Sequence, residues 1–283
     1  MKSSFFYKLV FFVKINIICS LIARVLPYKI LPSQNSSSKI AIITVAFNKP
    51  ELIWIQWMAL CRYTKEKFVY LIIDNSTSKQ SSDKISNFCL ENNIFYAKAL
   101  MPSVLARSPS VSHAAALNMG VKLACKYIMP DYLVVLDHDI FPGSKFSIAH
   151  MLFDYEFIGL PQFRGLHQYY WPGLLFMNMT KIDVNKLDFF PVIGADTGAK
   201  LRSQLMKQNI KCSSLDEPKY YSVEDNCVYL SRCDGPAERL LSSNLLIEEI
   251  QGWLHLINGS GWRGVSNDKL RLDYIKNLLF GFG

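Results

Sequence analysis

Two aspartates one residue apart, Asp137 and Asp139, directly follow a strongly apolar run, Tyr132–Leu136. Such a run predicts a strand that is buried on both faces. Alternation along an extended chain puts the two carboxylates on one side and His138 on the other. A hard divalent cation between or beside the carboxylates would stabilise two like charges at the end of a buried strand. Open α/β sheets bind their ligands at the carboxyl ends of strands, which is where this pair falls.

A simpler reading of the pair is a solvated turn. In that reading Asp139 caps the next segment, and Pro142 with Gly143 ends it. An Asp-x-Asp motif is short enough to arise by chance, so the elements around it decide its value.

The composition suits one large α/β domain, with or without a small appendage. Of 283 residues, 50% are hydrophobic and 13% aromatic, which provides a substantial core and excludes extensive disorder. The net charge of +8 suits an acidic partner such as a nucleoside diphosphate or an anionic lipid surface. The sequence contains no basic run interleaved with aromatic residues, so nucleic acid is not an expected partner. Seven cysteines without CxxC spacing indicate a reducing compartment.

Residues 1–31 differ from the rest of the chain because they are apolar and basic together. The longest charge-free stretch, Ile15–Ala23, is shorter than the roughly 20 residues that a membrane span needs. We therefore expect a segment that lies in the membrane interface, and a protein at the cytosolic face of a membrane. A signal peptide, a signal-anchor and an amphipathic helix packed on the domain are the alternatives.

The remaining chain divides into three parts. Residues 32–38 are polar and rich in turn formers, which predicts a linker. Residues 39–267 form the main domain, and residues 268–283 form a C-terminal helix or tail.

Strands and helices alternate in the main domain, which predicts parallel pairing with right-handed crossovers. Asn48 is expected to cap a helix that has Pro50 in its first turn. The expected inward residues of that helix are Leu52, Ile55, Trp57 and Leu60. The predicted strands before the Asp-x-Asp strand are Ile40–Val45, Val69–Ile73 and Ile94–Ala97.

The order of these segments resembles the nucleotide-sugar glycosyltransferases of the GT-A fold, closest to glycosyltransferase family 2. The resemblance spans about Ile40 to Trp262, and the order and spacing of its parts are what is specific. Its parts are Ile42–Asn48, Ile72–Ser76, Ser112–Gly120, Asp137–Asp139, Trp171–Asn178 and Gly194–Gly198. It implies an α/β, Rossmann-like fold, in which helices flank a mixed, mainly parallel sheet.

The resemblance also implies a donor site at the strand ends. Thr44, Ala46 and Asn48 would contact the base and ribose, and the Asp74 carboxylate would accept a hydrogen bond from the nucleobase. For Asp74, an Asx-turn or a helix cap is the alternative. His113 and Asn118 are candidate contacts to the nucleotide sugar, although His113 also fits a surface histidine at a helix end.

A cation site is implied beside the donor. Asp137 would approach the ribose and the metal, while Asp139 would bind Mn²⁺ or Mg²⁺ directly. His255 is a further candidate ligand, since many enzymes of this fold supply a late histidine. A buried histidine between Leu254 and Leu256 is the alternative.

Asp196 is the candidate general base for an inverting transfer. Relatives commonly have Glu-Asp at this place, whereas Ala195 replaces the first acid here. Asp196 would alternatively cap a helix predicted over Thr197–Met206.

Together the residues predict a metal-dependent glycosyltransferase that acts on a nucleotide-diphosphate sugar and a glycan or lipid-linked acceptor. A non-catalytic nucleotide-sugar-binding protein of the same fold is the second hypothesis, motivated by Ala195. A nucleotidyltransferase is third, because Val45–Lys49 lacks the glycine-rich, basic phosphate loop which that class needs.

Overall fold

The computed structural model describes residues 28–31, 38–102, 108–224, 227–231, 247–257 and 268–281. The strands are β1 Tyr28–Leu31, β2 Ile40–Ala46, β3 Val69–Asp74, β4 Phe95–Ala99, β5 Tyr132–Asp137, β6 Ile140–Pro142, β7 Phe157–Arg164, β8 His167–Asn178, β9 Cys212–Ser214, β10 Lys219–Glu224, β11 Cys227–Ser231, β12 Ile247–Ile250 and β13 Trp253–Leu256. The α-helices are α1 Pro50–Tyr63, α2 Lys79–Glu91, α3 Pro109–Tyr127, α4 Ile148–Met151, α5 Leu201–Lys207 and α6 Asp268–Phe280, and a 3₁₀ turn covers Val184–Lys186.

The main sheet has eight strands in the order β1-β4-β3-β2-β5-β8-β7-β9. Strand β2 pairs in parallel with both β3 and β5, and β3 pairs in parallel with β4. The chain steps outward from β2 to β4 and then returns to the other side of β2 as β5. The direction of progression therefore reverses between β2 and β5, which makes their carboxyl ends the switch point where such sheets bind ligands.

Antiparallel strands complete the sheet. Strand β8 runs antiparallel to both β5 and β7, and β9 returns to a parallel pairing with β7. Helices cover both faces, as the alternating pattern predicts. The α/β fold with a mixed, mainly parallel sheet is confirmed.

Side-chain alternation along β2 divides the core into two layers. Ile42 packs with Ile53 on the α1 side of the sheet, whereas Ile43 packs with Leu117 on the α3 side. Helix α3 lies very close to the sheet at Gly120, where an added Cβ would come within 2.9 Å of both the Ile43 and Ile73 side chains. The glycine of the Ser112–Gly120 segment is thus required by packing between helix and sheet.

A second, antiparallel sheet of five strands adjoins the first in the order β11-β10-β12-β13-β6. Strand β6 begins one residue after Asp139, so this sheet continues directly from the Asp-x-Asp motif. The expected C-terminal helix is present as α6, with Ile275 and Leu279 buried against Leu52 and Phe141. Residues 268–280 are therefore part of the packed structure.

The N-terminal boundary needs correction. Tyr28–Leu31, assigned above to the membrane-associating segment, forms strand β1 and pairs antiparallel with β4 at the sheet edge. Residues 1–27 and 32–37, which hold the rest of that segment and most of the predicted linker, lie outside the described residues. Among the residues that the structure does describe, no helix has the length and apolarity to cross a membrane.

Two helix starts also differ from prediction. Asn48 does not cap α1, which begins at Pro50 after Lys49 with no side-chain cap. Asn48 instead has a left-handed backbone, with φ of +55°, and its Oδ1 accepts from the backbone N–H groups of Thr77 and Ser78. The helix predicted from Thr197 starts only at Leu201, because residues 197–200 form turns.

Candidate functional site

Three neighbouring strands end at the same edge of the main sheet and define the candidate site. Ala46 ends β2 opposite Asp74 at the end of β3, and Val45 lies opposite Asp137 at the end of β5. The intervening His138 is buried in the turn after β5, and its Nδ1 lies 3.1 Å from the Val45 carbonyl oxygen. Asp137 and Asp139 therefore emerge at the switch point.

His113 faces Asp137. It lies in the second turn of α3, and its Nε2 is 3.0 Å from Asp137 Oδ1. Burial by itself would lower the pKa of His113, but the charge and hydrogen bond of Asp137, with smaller contributions from Asp139 and Asp196, outweigh burial and raise it. For Asp137, burial opposes ionisation, yet the positive charge of His113 lowers its pKa overall. An ion pair therefore lies at this edge.

His255 faces Asp139 because of the pairing between β13 and β6. His255 lies opposite Ile140, and the Leu256 N–H donates to the Asp139 carbonyl at 2.9 Å. The His255 Nε2 is 3.8 Å from Asp139 Oδ1, beyond hydrogen-bonding distance. On the other side of the ring, Nδ1 is 2.6 Å from Glu248 Oε1. The three side chains form a row from Glu248 to Asp139.

The pKa of His255 reflects this row. Burial of the ring lowers the pKa, but the hydrogen bond to Glu248 and the charge of Asp139 more than compensate and raise it. Trp171 packs on the same ring, with the two ring centroids 4.9 Å apart. His255 is therefore held both by a carboxylate and by an aromatic face.

The Asp139 carboxylate has the features of a cation ligand. It is only 5% exposed, and the His255 Nε2 lies 3.8 Å from its Oδ1. The described residues include no cluster of three His, Cys, Asp or Glu side chains placed to hold a metal ion. Asp139 and His255 offer two ligands, an oxygen and an imidazole nitrogen. Such a pair could hold a divalent cation if ligands from outside the protein completed the coordination.

Asp196 lies on the same edge as His113. The Thr197 hydroxyl donates to the Ser110 carbonyl at 2.9 Å, which ties the segment to the first turn of α3. Gly198 allows the same segment to lie close to β8, since an added Cβ there would lie 2.7 Å from the Tyr170 carbonyl oxygen. The charge of Asp196 contributes to raising the pKa of His113, which places both groups within electrostatic range.

The Asp196 side chain is open to solvent. It is 41% exposed, and Arg164 Nη1 lies 3.4 Å from its Oδ2. Its Oδ1 accepts from the adjacent Thr197 N–H, and α5 starts at Leu201 without a side-chain cap, so Asp196 does not cap that helix. The Asp196 carboxylate is therefore accessible to a hydroxyl group of a bound molecule.

Asp74 does not offer its carboxylate to a base. The side chain is fully buried, Oδ1 accepts from the Ser76 N–H at 2.8 Å, and Oδ2 accepts from Tyr96 at 2.8 Å and Lys98 at 3.2 Å. The Ser82 hydroxyl also donates to Oδ2. The Asx-turn alternative is therefore what the structure shows, and the nucleobase role expected for the Asp74 side chain is wrong for this conformation.

Three other expected donor contacts are also engaged within the protein. Thr44 is fully buried and donates to Gln56 Oε1 at 2.7 Å, and Ala46 is fully buried as well. The Asn118 side chain donates to Asp188 at 3.1 Å and accepts from the Phe189 N–H at 3.2 Å. These residues lie within the protein beneath the candidate site. Of the expected donor-binding residues, His113 and Asp137 remain directly at the edge, and Asn48 joins the loops after β2 and β3.

Sequence reasoning missed two residues that contact the site residues. Glu248 precedes a turn and matches no motif, so its contact with His255 depends on hairpin register that the sequence does not show. The sequence does contain an indication that Gln56 has buried partners. It is a polar residue four positions from both Leu52 and Leu60 on the apolar stripe of α1, which calls for buried hydrogen-bond partners.

No protein-family model and no curated protein match the chain. Solved structures with a distant likeness include the mannosyltransferase PcManGT from Pyrobaculum calidifontis in complex with GDP-Man and Mn²⁺, which is 9% identical with a TM-score of 0.47 over 84% of this chain and 69% of that one. A protein described as a nucleotide-diphospho-sugar transferase from Desulfovibrio desulfuricans G20 is 11% identical, with a TM-score of 0.44 over 63% of this chain and 80% of that one. The galactosyltransferase LgtC with donor and acceptor sugar analogues is 13% identical, with a TM-score of 0.34 over 60% of this chain and 65% of that one. At such identities these likenesses do not indicate which residues act in this chain.

Proposed function

We propose that the protein is a glycosyltransferase that moves a sugar from a nucleotide-diphosphate donor to an acceptor hydroxyl with inversion. The observation that carries the proposal is the pairing of two aspartates at the switch point with two histidines, Asp137 with His113 and Asp139 with His255. The acceptor in this proposal is a glycan or a lipid-linked glycan. A site with this mixture of charges suits the diphosphate and the cation that accompanies it.

Asp139 and His255 would hold the cation, Mn²⁺ or Mg²⁺. When bound, such an ion neutralises the charge that grows on a departing nucleoside diphosphate. Asp137 would orient the ribose. The raised pKa of His113 favours the positively charged form of its imidazole, which would attract the diphosphate.

Asp196 would act as the general base. Its exposed carboxylate oxygen would take the proton from the acceptor hydroxyl as that oxygen attacks the donor sugar. Arg164, whose Nη1 lies 3.4 Å from Oδ2, would orient the carboxylate. Because the base and the diphosphate would lie on opposite sides of the sugar, the configuration would invert.

The proposal includes a location at the cytosolic face of a membrane. The basic, apolar residues 1–27 and the cysteine pattern support it. The membrane surface is then a partner of this part of the chain, beside the donor and the acceptor.

A donor-hydrolysis assay over a panel of nucleotide sugars tests the proposal. We expect turnover that needs Mn²⁺ or Mg²⁺ and is stopped by EDTA. In Asp139→Ala it should fall about 100-fold or more, the usual cost of losing one group that stabilises the transition-state charge. Asp131→Asn is a matched control, since Asp131 lies just before β5 and pairs only with the exposed Lys39 in the described structure. Equal, metal-independent turnover in all three proteins would overturn the proposal.

The second candidate is a nucleotide-sugar-binding protein without catalysis, and Ala195 in place of an acid is its motivation. Binding of nucleotide sugars by wild type and Asp196→Asn alike, with no transfer by either to a broad acceptor panel, would favour it. Transfer by wild type that Asp196→Asn abolishes, with binding retained, would favour the enzyme.

A further inference from the structure

Gln56 places a carboxamide in the apolar core at the middle of α1. The side chain is 0% exposed, and its neighbours on the same helix face, Leu52 and Leu60, are fully buried too. A buried amide is unfavourable unless hydrogen bonds replace those it makes with water. Gln56 therefore needs partners inside the protein.

The structure supplies partners for every hydrogen-bonding position of this amide. Nε2 donates to the carbonyl oxygens of Asp137 at 2.8 Å and Ile140 at 2.5 Å. Oε1 accepts from the Thr44 hydroxyl at 2.7 Å and the Tyr70 hydroxyl at 2.5 Å. Since backbone carbonyls only accept, Nε2 must face the turn, and the orientation of the amide is fixed.

The two ends of the Gln56 amide contact different parts of the structure. Thr44 on β2 and Tyr70 on β3 anchor the oxygen side of the amide within the sheet. The nitrogen side reaches the last residue of β5 and the first residue of β6, which bracket the turn through His138 and Asp139. One side chain thus links the rigid sheet to both ends of the turn that carries the candidate cation ligand.

We propose that Gln56 is a positioning residue that fixes the Asp137–Ile140 turn and thereby sets the relative placement of the Asp137 and Asp139 carboxylates. The proposal rests on the proposed function only in assuming that those carboxylates bind the donor and its cation. Without the two N–H donors, the turn loses its hydrogen bonds to α1, and the packing of Phe141 on α1 and the pairing of β6 with β13 are left to hold Asp139 near His255.

Hydrogen–deuterium exchange tests the positioning role without any ligand. In Gln56→Met, which conserves side-chain volume, we expect peptides covering residues 137–141 to exchange at least 10-fold faster, with β2 and β3 unchanged. Tyr70→Phe is the matched control, because it removes one bond to the same amide but leaves both carbonyl contacts. Its turn should exchange within twofold of wild type. Should Gln56→Met fail to fold, Gln56→Glu keeps an oxygen for both hydroxyls while offering at most one donor, and should loosen the same turn.

Binding of Mn²⁺ alone, followed by the electron paramagnetic resonance of the free ion, is the second readout. We expect about 10-fold weaker binding in Gln56→Met and less than a twofold change in Tyr70→Phe. Unchanged exchange of residues 137–141 in the Gln56 variants, or effects in both variants that merely follow their loss of thermal stability, would overturn the proposal. A wild-type protein that binds no Mn²⁺ would count against the proposed cation site, while the exchange result still decides the role of Gln56.

Discussion

His255 and Glu248 lie opposite each other in the β12–β13 hairpin, with His255 Nδ1 2.6 Å from Glu248 Oε1. In the neutral imidazole this contact assigns the proton to Nδ1 and leaves the Nε2 lone pair on the side of Asp139. A histidine that binds a metal ion is commonly oriented by such a carboxylate. When the ring is neutral, the hairpin therefore presents the Nε2 lone pair that a cation needs.

Replacing Glu248 with glutamine should weaken cation binding without unfolding the protein. The amide keeps the size of the side chain but removes the charge that orients and polarises His255, and loss of such a partner typically costs 10- to 100-fold in metal affinity. Mn²⁺ titration would measure the change. Glu249→Gln, on the same strand but bonded to the Gly252 N–H of the turn, should bind like wild type. An equal loss in both variants would show that the effect comes from the hairpin as a whole.

Asp74→Ala should lower the free energy of unfolding by about 3 kcal/mol, because Tyr96 and other donors lose their acceptor and the partly buried Lys98 is left with the Ser76 carbonyl. Urea denaturation would measure this. Asp83→Ala, which removes an exposed partner of Lys79, should cost no more than about 0.5 kcal/mol. If Asp74→Ala instead kept its stability and lost only nucleotide affinity, that result would support the nucleobase contact expected from the sequence.

Gly120→Ala should destabilise the protein although alanine is the better helix former. The helical preference is worth about 1 kcal/mol, whereas forcing a methyl group against well-packed neighbours costs roughly 1–3 kcal/mol. The Ile43 and Ile73 atoms that it would meet belong to buried strands and cannot move aside freely. A lower midpoint of thermal unfolding is expected, and a higher midpoint would show that α3 can shift away from the sheet.

Cys89 should resist alkylation in the native protein. Burial of its thiol raises the pKa, so the reactive thiolate is scarce, whereas Cys61 is exposed although burial also raises its pKa. At pH 8 we expect iodoacetamide to modify Cys61 first and Cys89 only on unfolding in urea, as read by peptide mass spectrometry. Comparable native rates at the two thiols would reveal frequent opening of α2.

The sequence predicted the strands of the switch point well because each carries a local signal. The apolar run at Tyr132–Leu136 predicted β5 and placed Asp137 at its end, which the structure confirms. The contact of Asp137 with His113 was not predicted, because His113 was named only as a candidate contact to the nucleotide sugar. Short-range patterns of this kind need no knowledge of the partner strand.

The roles of Asp74, Thr44 and Asn118 were not readable in the same way. Each lies at a strand end or on a helix facing the site, and only the direction and partners of its side chain show that it is engaged internally. The start of α5 was also misplaced, because turn residues after Asp196 delay the helix. Side-chain direction is a tertiary property, and a single sequence does not determine it.

Asp139 and His255 meet through β6 and β13, two short strands that lie far apart along the chain. A nascent polypeptide leaving the ribosome would complete its parallel sheet long before β13 emerges, and contacts between such distant segments close late because ordering the intervening loop is entropically unfavourable. The proposed cation site should thus form only after β13 has been synthesised and has paired with β6.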